Sequence, residues 1–174
     1  MTTAFLELLG IQESMLNARQ LPQHTEASIL VMAERGEDGR EFMLTPAASD
    51  AWQRMKVQAQ QDGINLLMVS AFRSVQRQTE IIQQKLIAGD SLAAILNVCA
   101  PPGYSEHHTG LAIDITCLDA PELEIDFEKS AAFFWLQQQA ANFGFYMSYP
   151  KENAAGFQYE PWHWCFRVGD TIST

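Results

Sequence analysis

Ten consecutive residues, Ser105-Glu106-His107-His108-Thr109-Gly110-Leu111-Ala112-Ile113-Asp114, hold two of the four histidines of the chain together with hydroxyl and carboxylate side chains. A third imidazole, His163, follows much later in Glu160-Pro161-Trp162-His163-Trp164. Imidazoles and a carboxylate are the donor types that hold a divalent zinc ion at a catalytic centre. There the protein supplies three ligands and leaves the fourth position to water or substrate. Glu160 stands three residues before His163, and Pro161 between them breaks strand alternation, so both side chains can reach one site. A carboxylate beside a metal-bound water can take its proton and pass it on to a leaving amine. The chemistry within reach is metal-assisted amide hydrolysis.

Spacing does not choose between the adjacent histidines. On an unbroken strand His108 and Asp114 share a face and His107 does not. Pro101-Pro102-Gly103, however, stops regular structure just upstream, so the segment before Gly110 reads as loop and the parity rule lapses there. From Gly110 onward alternation returns. Leu111, Ile113 and Ile115 fall on one face, and Ala112, Asp114 and Thr116 on the other.

The surrounding elements follow in order. Residues 4–20 carry the apolar spacing of a short amphipathic helix interrupted at Gly10, and Ser28–Ala33 with Phe42–Leu44 read as a hairpin around the turn residues 35–40. Thr45-Pro46 starts a helix that ends near Gln61, with Gly63 just beyond it. Ile64–Phe72 reads as a central strand buried on both faces, leaving through Arg73-Ser74 into a helix from Val75 to Ile87. A shorter helix follows, capped by Asp90 or Ser91. Asp119–Asp126 reads as an exposed acidic connection, and Ser130–Asn142 as a helix offering Phe133, Phe134, Leu136 and Ala140 to the core. Phe145–Tyr149 and Phe157–Tyr159 read as paired strands, with a last strand from Trp162 towards Val168. The fold class expected is α+β, with helices packed on a small, mainly antiparallel sheet.

Composition sets the frame. A chain of 174 residues, 47% hydrophobic, fits one domain spanning 1–174. A net charge of −10, from 11 basic against 21 acidic residues, argues against a nucleic-acid partner. No apolar run reaches the ~18 residues of a membrane span, and the N-terminus lacks the pattern of a secretory signal, so a cytoplasmic protein is expected. Cys99, Cys117 and Cys165 lack CxxC spacing, which suits a reducing compartment.

Ser105-x-His107-x-x-Gly110-x-Ala112-x-Asp114, with Glu160-x-x-His163 downstream, resembles the paired signature of the VanY-type D-alanyl-D-alanine carboxypeptidases. These belong to the group of zinc peptidases that includes lysostaphin, the D-Ala-D-Ala peptidases and the hedgehog fold. Ser70-Ala71-Phe72-Arg73-Ser74 with Gln78 is similar to the family's Ser-Gly-Tyr-Arg-Ser segment and its following Gln. The resemblance covers about 45–168 and leaves 1–44 as an N-terminal extension. It implies His107, Asp114 and His163 as zinc ligands, so that His107 takes precedence over His108, and Glu160 as general base and acid. It further implies Arg73 as the holder of substrate charge, with Ser105 and Gln78 orienting the peptide. Two departures stand out: Ala71-Phe72 replaces the common Gly-Tyr, and Cys165-Phe166 precedes Arg167 where the family often has Arg at once.

Each site residue also has a plainer reading: solvated loop histidines, a surface Glu160, an ion-paired Arg73, a buried Cys165 thiol. Trp162 and Trp164 flank a ligand and could line a pocket, although core packing is the default for a strand Trp. The function expected is removal of the terminal D-alanine from peptidoglycan stem peptides. Compartment favours the L,D bond of a tetrapeptide, in cytosolic recycling, over the D,D bond of a pentapeptide. The alternatives are a D,D-carboxypeptidase, a metal-binding module without catalysis, and a lytic endopeptidase. The partner expected is a small peptide or muropeptide, with no membrane and no nucleic acid.

Overall fold

The computed structural model describes residues 2–17 and 19–167. Hydroxyl caps start most of the longer helices. Thr45, Ser74, Ser91 and Ser130 each accept a hydrogen bond from the backbone N–H three residues on, satisfying a donor that the first helical turn leaves unpaired. They open α3 (Pro46–Gln61), α4 (Val75–Ile87), α5 (Leu92–Val98) and α6 (Ala131–Gln139). The N-terminal pattern resolves into two short helices, α1 (Thr2–Leu8) and α2 (Glu13–Asn17), broken where Gly10 takes φ +69°. None of the described helices is long and apolar enough to cross a membrane.

The strands β1 (Val31–Arg35) and β2 (Glu41–Leu44) form an antiparallel hairpin. The strands β3 (Leu67–Ser70), β4 (Ala112–Thr116), β5 (Phe145–Met147) and β6 (His163–Phe166) form an antiparallel sheet in the order β3-β4-β6-β5. The fold is thus α+β with antiparallel sheets, as the sequence pattern indicates. Ile113, Ile115, Met68 and Trp164 join the main core with Trp52 and Met55 of α3 and Leu136 of α6. Alternation along β4 and β6 then turns Asp114 and His163 to the other face.

Several expectations are corrected. The segment 64–72 is strand only at Leu67–Ser70 and lies at the sheet edge, while the inner strands are β4, buried along its whole length, and β6. Residues 157–159 are loop, since Gln158 N–H donates to Asn97 O on α5 at 2.9 Å instead of to a strand. The expected Ser130–Asn142 helix tightens into a 3-10 turn over Ala140–Phe143, and Phe134 is 54% exposed because it lies on the outer side of α6. Val168, the expected end of the last strand, lies outside the described residues.

The N-terminal segment builds a second core. Leu9, Ile11 and Leu16 pack with Ile82 of α4, Ile95 and Leu96 of α5, and Cys99. Beyond it the chain runs alongside the histidine loop, where His24 N–H donates to Gly103 O at 2.7 Å and Ala27 N–H to His108 O at 2.8 Å. Gly110 closes that loop in the left-handed region at φ +65°. A Cβ there would stand 2.8 Å from Leu30 Cδ2 and 3.3 Å from both Ala27 Cβ and Thr45 Cγ2. Gly110→Ala should therefore lower stability by about 1–3 kcal/mol. Urea unfolding of the variant beside the wild type measures this, and an unchanged midpoint would contradict it.

Candidate metal centre

The site is assembled by strand register. Asp114 on β4 pairs directly with His163 on β6, and on its other side with Ser70, the last residue of β3. His107 comes from the 3-10 turn Glu106–Thr109, which Gly110 terminates. One ligand atom from each of His107, Asp114 and His163 lies within 4.8 Å of the others, and all three residues are buried. Tetrahedral zinc with bonds of ~2.0–2.1 Å asks for ligand atoms only about 3.3 Å apart, so a small inward adjustment of the side chains suffices.

The chemistry of the donor set is that of a cation site. His107 Nδ1–H donates to Ala71 O at 2.8 Å, because a carbonyl can only accept. Burial holds this ring below its ordinary pKa despite the neighbouring Asp114, so it is neutral and its bare Nε2 faces Asp114 Oδ2 at 3.2 Å. Two acceptors facing each other in a buried pocket are stabilised by a cation shared between them. Asp114, although buried, is held well below the usual carboxylate range by His107 and His163.

His163 presents its other nitrogen to the same point. Its Nδ1 lies 3.0 Å from Asp114 Oδ1 and 4.0 Å from Glu160 Oε2, and its Nε2 lies 2.9 Å from Glu106 Oε2. Against burial, which favours the neutral ring, the carboxylates of Asp114 and Glu106 lift its pKa to about 10. The Nδ1 atom faces the point on which Asp114 and His107 also converge. The two histidine rings meet edge to face with centroids 4.9 Å apart.

His108 has a different task. Its Nδ1–H donates to Arg73 O at 2.6 Å, its Nε2 accepts from Gly103 N–H at 3.1 Å, and the side chain is fully buried. Both nitrogens are engaged with backbone, so the ring braces the loop and offers no atom to a metal. Cys165 shares the face of His163 on β6 but lies outside the ligand cluster. Burial, with the Glu106 carboxylate beside it, pushes the thiol up to about 12.

A cleft of about 480 Å³ opens onto the three ligands and is also lined by Arg73, Gln78, Ser105, Glu160 and Trp162. It thus brings together every site residue singled out from the sequence. Arg73 donates from Nη1 to Gln78 Oε1 at 2.9 Å and from Nη2 to Ser70 Oγ at 3.0 Å. Gln78 in turn donates to Ala100 O and sits against Cys99 Sγ, so its amide is engaged at both ends and braces the guanidinium. Burial, together with the Asp114 and Glu106 charges, raises Glu160 to about 7 against the pull of His163 and Arg73.

Two residues of the site escape a reading by motif. Tyr149 stacks on the His163 ring with centroids 4.8 Å apart, and burial with the nearby Glu106 and Glu160 carboxylates keeps its phenol protonated. Glu106 lies inside the histidine motif, but nothing in the spacing tells which way it points. Its adjacency to His107 is the one available signal.

An antiparallel sheet presenting a buried His-Asp-His triad, with a carboxylate at its rim and a guanidinium in the same cleft, defines a hydrolytic type of metal centre. The chain belongs to the VanY D-alanyl-D-alanine carboxypeptidase family, whose profile matches residues 41–170. It is 38% identical over 120 residues to YodJ of Bacillus subtilis (strain 168), covering 67% of this chain and 43% of that one. The chain therefore spans under half the length of that relative. Among solved structures it resembles the LD-carboxypeptidase LdcB, with TM-score 0.73 and 33% identity, over 83% of this chain and 71% of that one. It also resembles the D,D-pentapeptidase VanY of a VanB-type resistance cassette, solved with Zn(II), with TM-score 0.64, 26% identity and coverage of 84% and 82%.

The two adjacent histidines should separate cleanly. His107→Ala should lose bound divalent metal. His108→Ala should keep it but lose about 1–3 kcal/mol of stability, because the Gly103 N–H and the Arg73 carbonyl are left without their partner. Elemental analysis and urea unfolding of both variants check this, and loss of metal from the His108 variant would reverse the assignment.

Proposed function

We propose that the protein is a zinc carboxypeptidase that removes the terminal D-alanine from peptidoglycan stem peptides, acting on the L,D bond of a tetrapeptide. The observation that carries the hydrolytic reading is the convergence of Glu160 and Arg73 on the cleft that opens over the triad. His107 Nε2, Asp114 and His163 Nδ1 would hold zinc, which when bound would polarise the scissile carbonyl and acidify water.

The remaining work belongs to the side chains. Glu160, ionised, takes a proton from the attacking water as oxygen bonds to the acyl carbon. It then delivers that proton to the amine nitrogen as the C–N bond breaks. Arg73 has five N–H donors, and the bonds to Gln78 and Ser70 engage two of them. The others are available to the anionic end of the substrate, and bidentate carboxylate recognition suits this fork. The Tyr149 phenol, kept protonated, can donate to an oxygen that gains charge.

Support for the L,D bond comes from the likeness to LdcB, which exceeds that to the D,D-pentapeptidase in both identity and TM-score. The cleft, at about 480 Å³, also has room for the long side chain of a diamino acid next to the scissile bond. Cytosolic recycling of wall peptides is part of the same proposal, supported by three unpaired cysteines, two of them buried.

Incubation with tetrapeptide and pentapeptide, with products identified by mass, tests the preference. Tetrapeptide should yield tripeptide and D-alanine, and release of alanine from pentapeptide alone would overturn it. Glu160→Gln should keep its zinc and lose about 10²–10⁴-fold in kcat. Hydrolysis that survives unchanged in that variant would remove the assignment of the base. A cation held by the triad would draw Glu160 below about 7. Since the base must be ionised, kcat/KM should be level near neutrality and fall only as pH drops through a limb below 7, which a pH–rate profile measures.

A further inference from the structure

We propose that Glu106 is a positioning residue of the metal centre, whose carboxylate fixes the tautomer of His163 so that Nδ1, and not Nε2, is the ligand atom. The inference rests on the metal-binding reading of the triad. It starts from one contact, Glu106 Oε2 to His163 Nε2 at 2.9 Å, made from the far side of the ring to Asp114. An ionised carboxylate can only accept, so Nε2 must carry hydrogen. The lone pair of the neutral ring is thereby confined to Nδ1, which faces Asp114 and Glu160.

The two histidines of the triad are set in opposite ways. His107 is held through Nδ1 by the Ala71 carbonyl and offers Nε2, whereas His163 is held through Nε2 by Glu106 and offers Nδ1. Without Glu106 the face of the His163 ring would still be held by Tyr149, which stacks on it. Stacking fixes the plane of a ring but does not decide which nitrogen is protonated. A carboxylate on the outer N–H also makes the ring a more basic ligand than a carbonyl would.

The placement is economical in sequence. Glu106 opens the same 3-10 turn that presents His107, so one short turn supplies a ligand from one residue and the anchor of a second ligand from its neighbour. Its side chain is 21% exposed, while that of His163 is 4% exposed, so the contact forms at the inner end of a partly screened carboxylate. Glu106 itself lies outside the set of ligand atoms that converge.

Zinc affinity and protonation state read this out independently of turnover. In competition with a chromophoric chelator, Glu106→Gln and Glu106→Ala in the full chain should weaken zinc binding by about 10–100-fold, with the Ala variant at the larger end. Long-range ¹H–¹⁵N spectra of the zinc-loaded wild type should show His163 protonated at Nε2. Wild-type affinity in both variants, or a zinc-loaded His163 protonated at Nδ1, would overturn the proposal while leaving the metal centre standing. A wild type that binds no zinc would overturn the proposal and the function together. If circular dichroism shows Glu106→Ala unfolded, the isosteric Gln variant and the wild-type spectrum decide.

Discussion

The site depends on one cross-strand pair. Asp114 and His163 face each other in the β4–β6 register, and their side chains meet at 3.0 Å on the sheet face away from the main core. Because side chains alternate, a slip of one residue in either strand would turn its ligand into the apolar layer and bring Ile113 or Trp164 to the other face in its place. That layer, with Ile113, Ile115 and Trp164 packed on α3 and α6, therefore fixes the metal centre without touching it. The register of Asp114 with Ser70 extends the constraint to β3, because Ser70 Oγ accepts from Arg73. Ligand, opposing ligand and guanidinium are thus placed by the same ladder.

The third ligand lies off the sheet and needs a different support. The turn that presents His107 is tied by its own backbone to Arg73, whose N–H donates to His107 O, and by His108, whose ring joins Arg73 O to Gly103 N–H. From the outer side it is lined by the N-terminal segment through His24 and Ala27. The residues ahead of the family match therefore form part of the wall against which the metal loop is built. Gly110, whose missing Cβ leaves room for Leu30, Ala27 and Thr45, is where that wall and the hairpin end meet the start of β4. A side chain there would separate them.

The helices α3 to α6 were legible because each carries its own start signal, a hydroxyl cap three residues before a free N–H, and those signals are local. The metal ligands were legible for a different reason, since the paired motifs hold the donors at fixed offsets. What local pattern could not give is the order of strands. An apolar run such as 64–72 is consistent with a central strand, yet hydrogen bonding places it at the edge and gives the inner places to Ala112–Thr116 and His163–Phe166. Residues 157–159 look β-prone by composition, but their partner is the end of α5, a contact that only the tertiary fold creates. Nor does spacing decide between His107 and His108. The choice is made by what each ring nitrogen meets: carbonyl and carboxylate for one, carbonyl and backbone N–H for the other.

The same reasoning distinguishes the two glutamates next to His163. Both are carboxylates in one partly buried pocket, but their environments drive them apart. Glu106 makes a direct hydrogen bond to the ring, which overcomes burial and holds its pKa at about 2. Glu160 stops 4.0 Å short of the ring, so burial and the other two carboxylates prevail and raise it to about 7. A carboxylate held that far down is a fixed charge across the working pH range. Glu160, with the higher proton affinity of the two, is the one that lines the cleft over the triad. Geometry and proton affinity therefore separate the two carboxylates along the lines of their proposed roles, Glu106 as anchor of His163 and Glu160 as carrier of the proton, although both stand within three positions of a histidine of the triad.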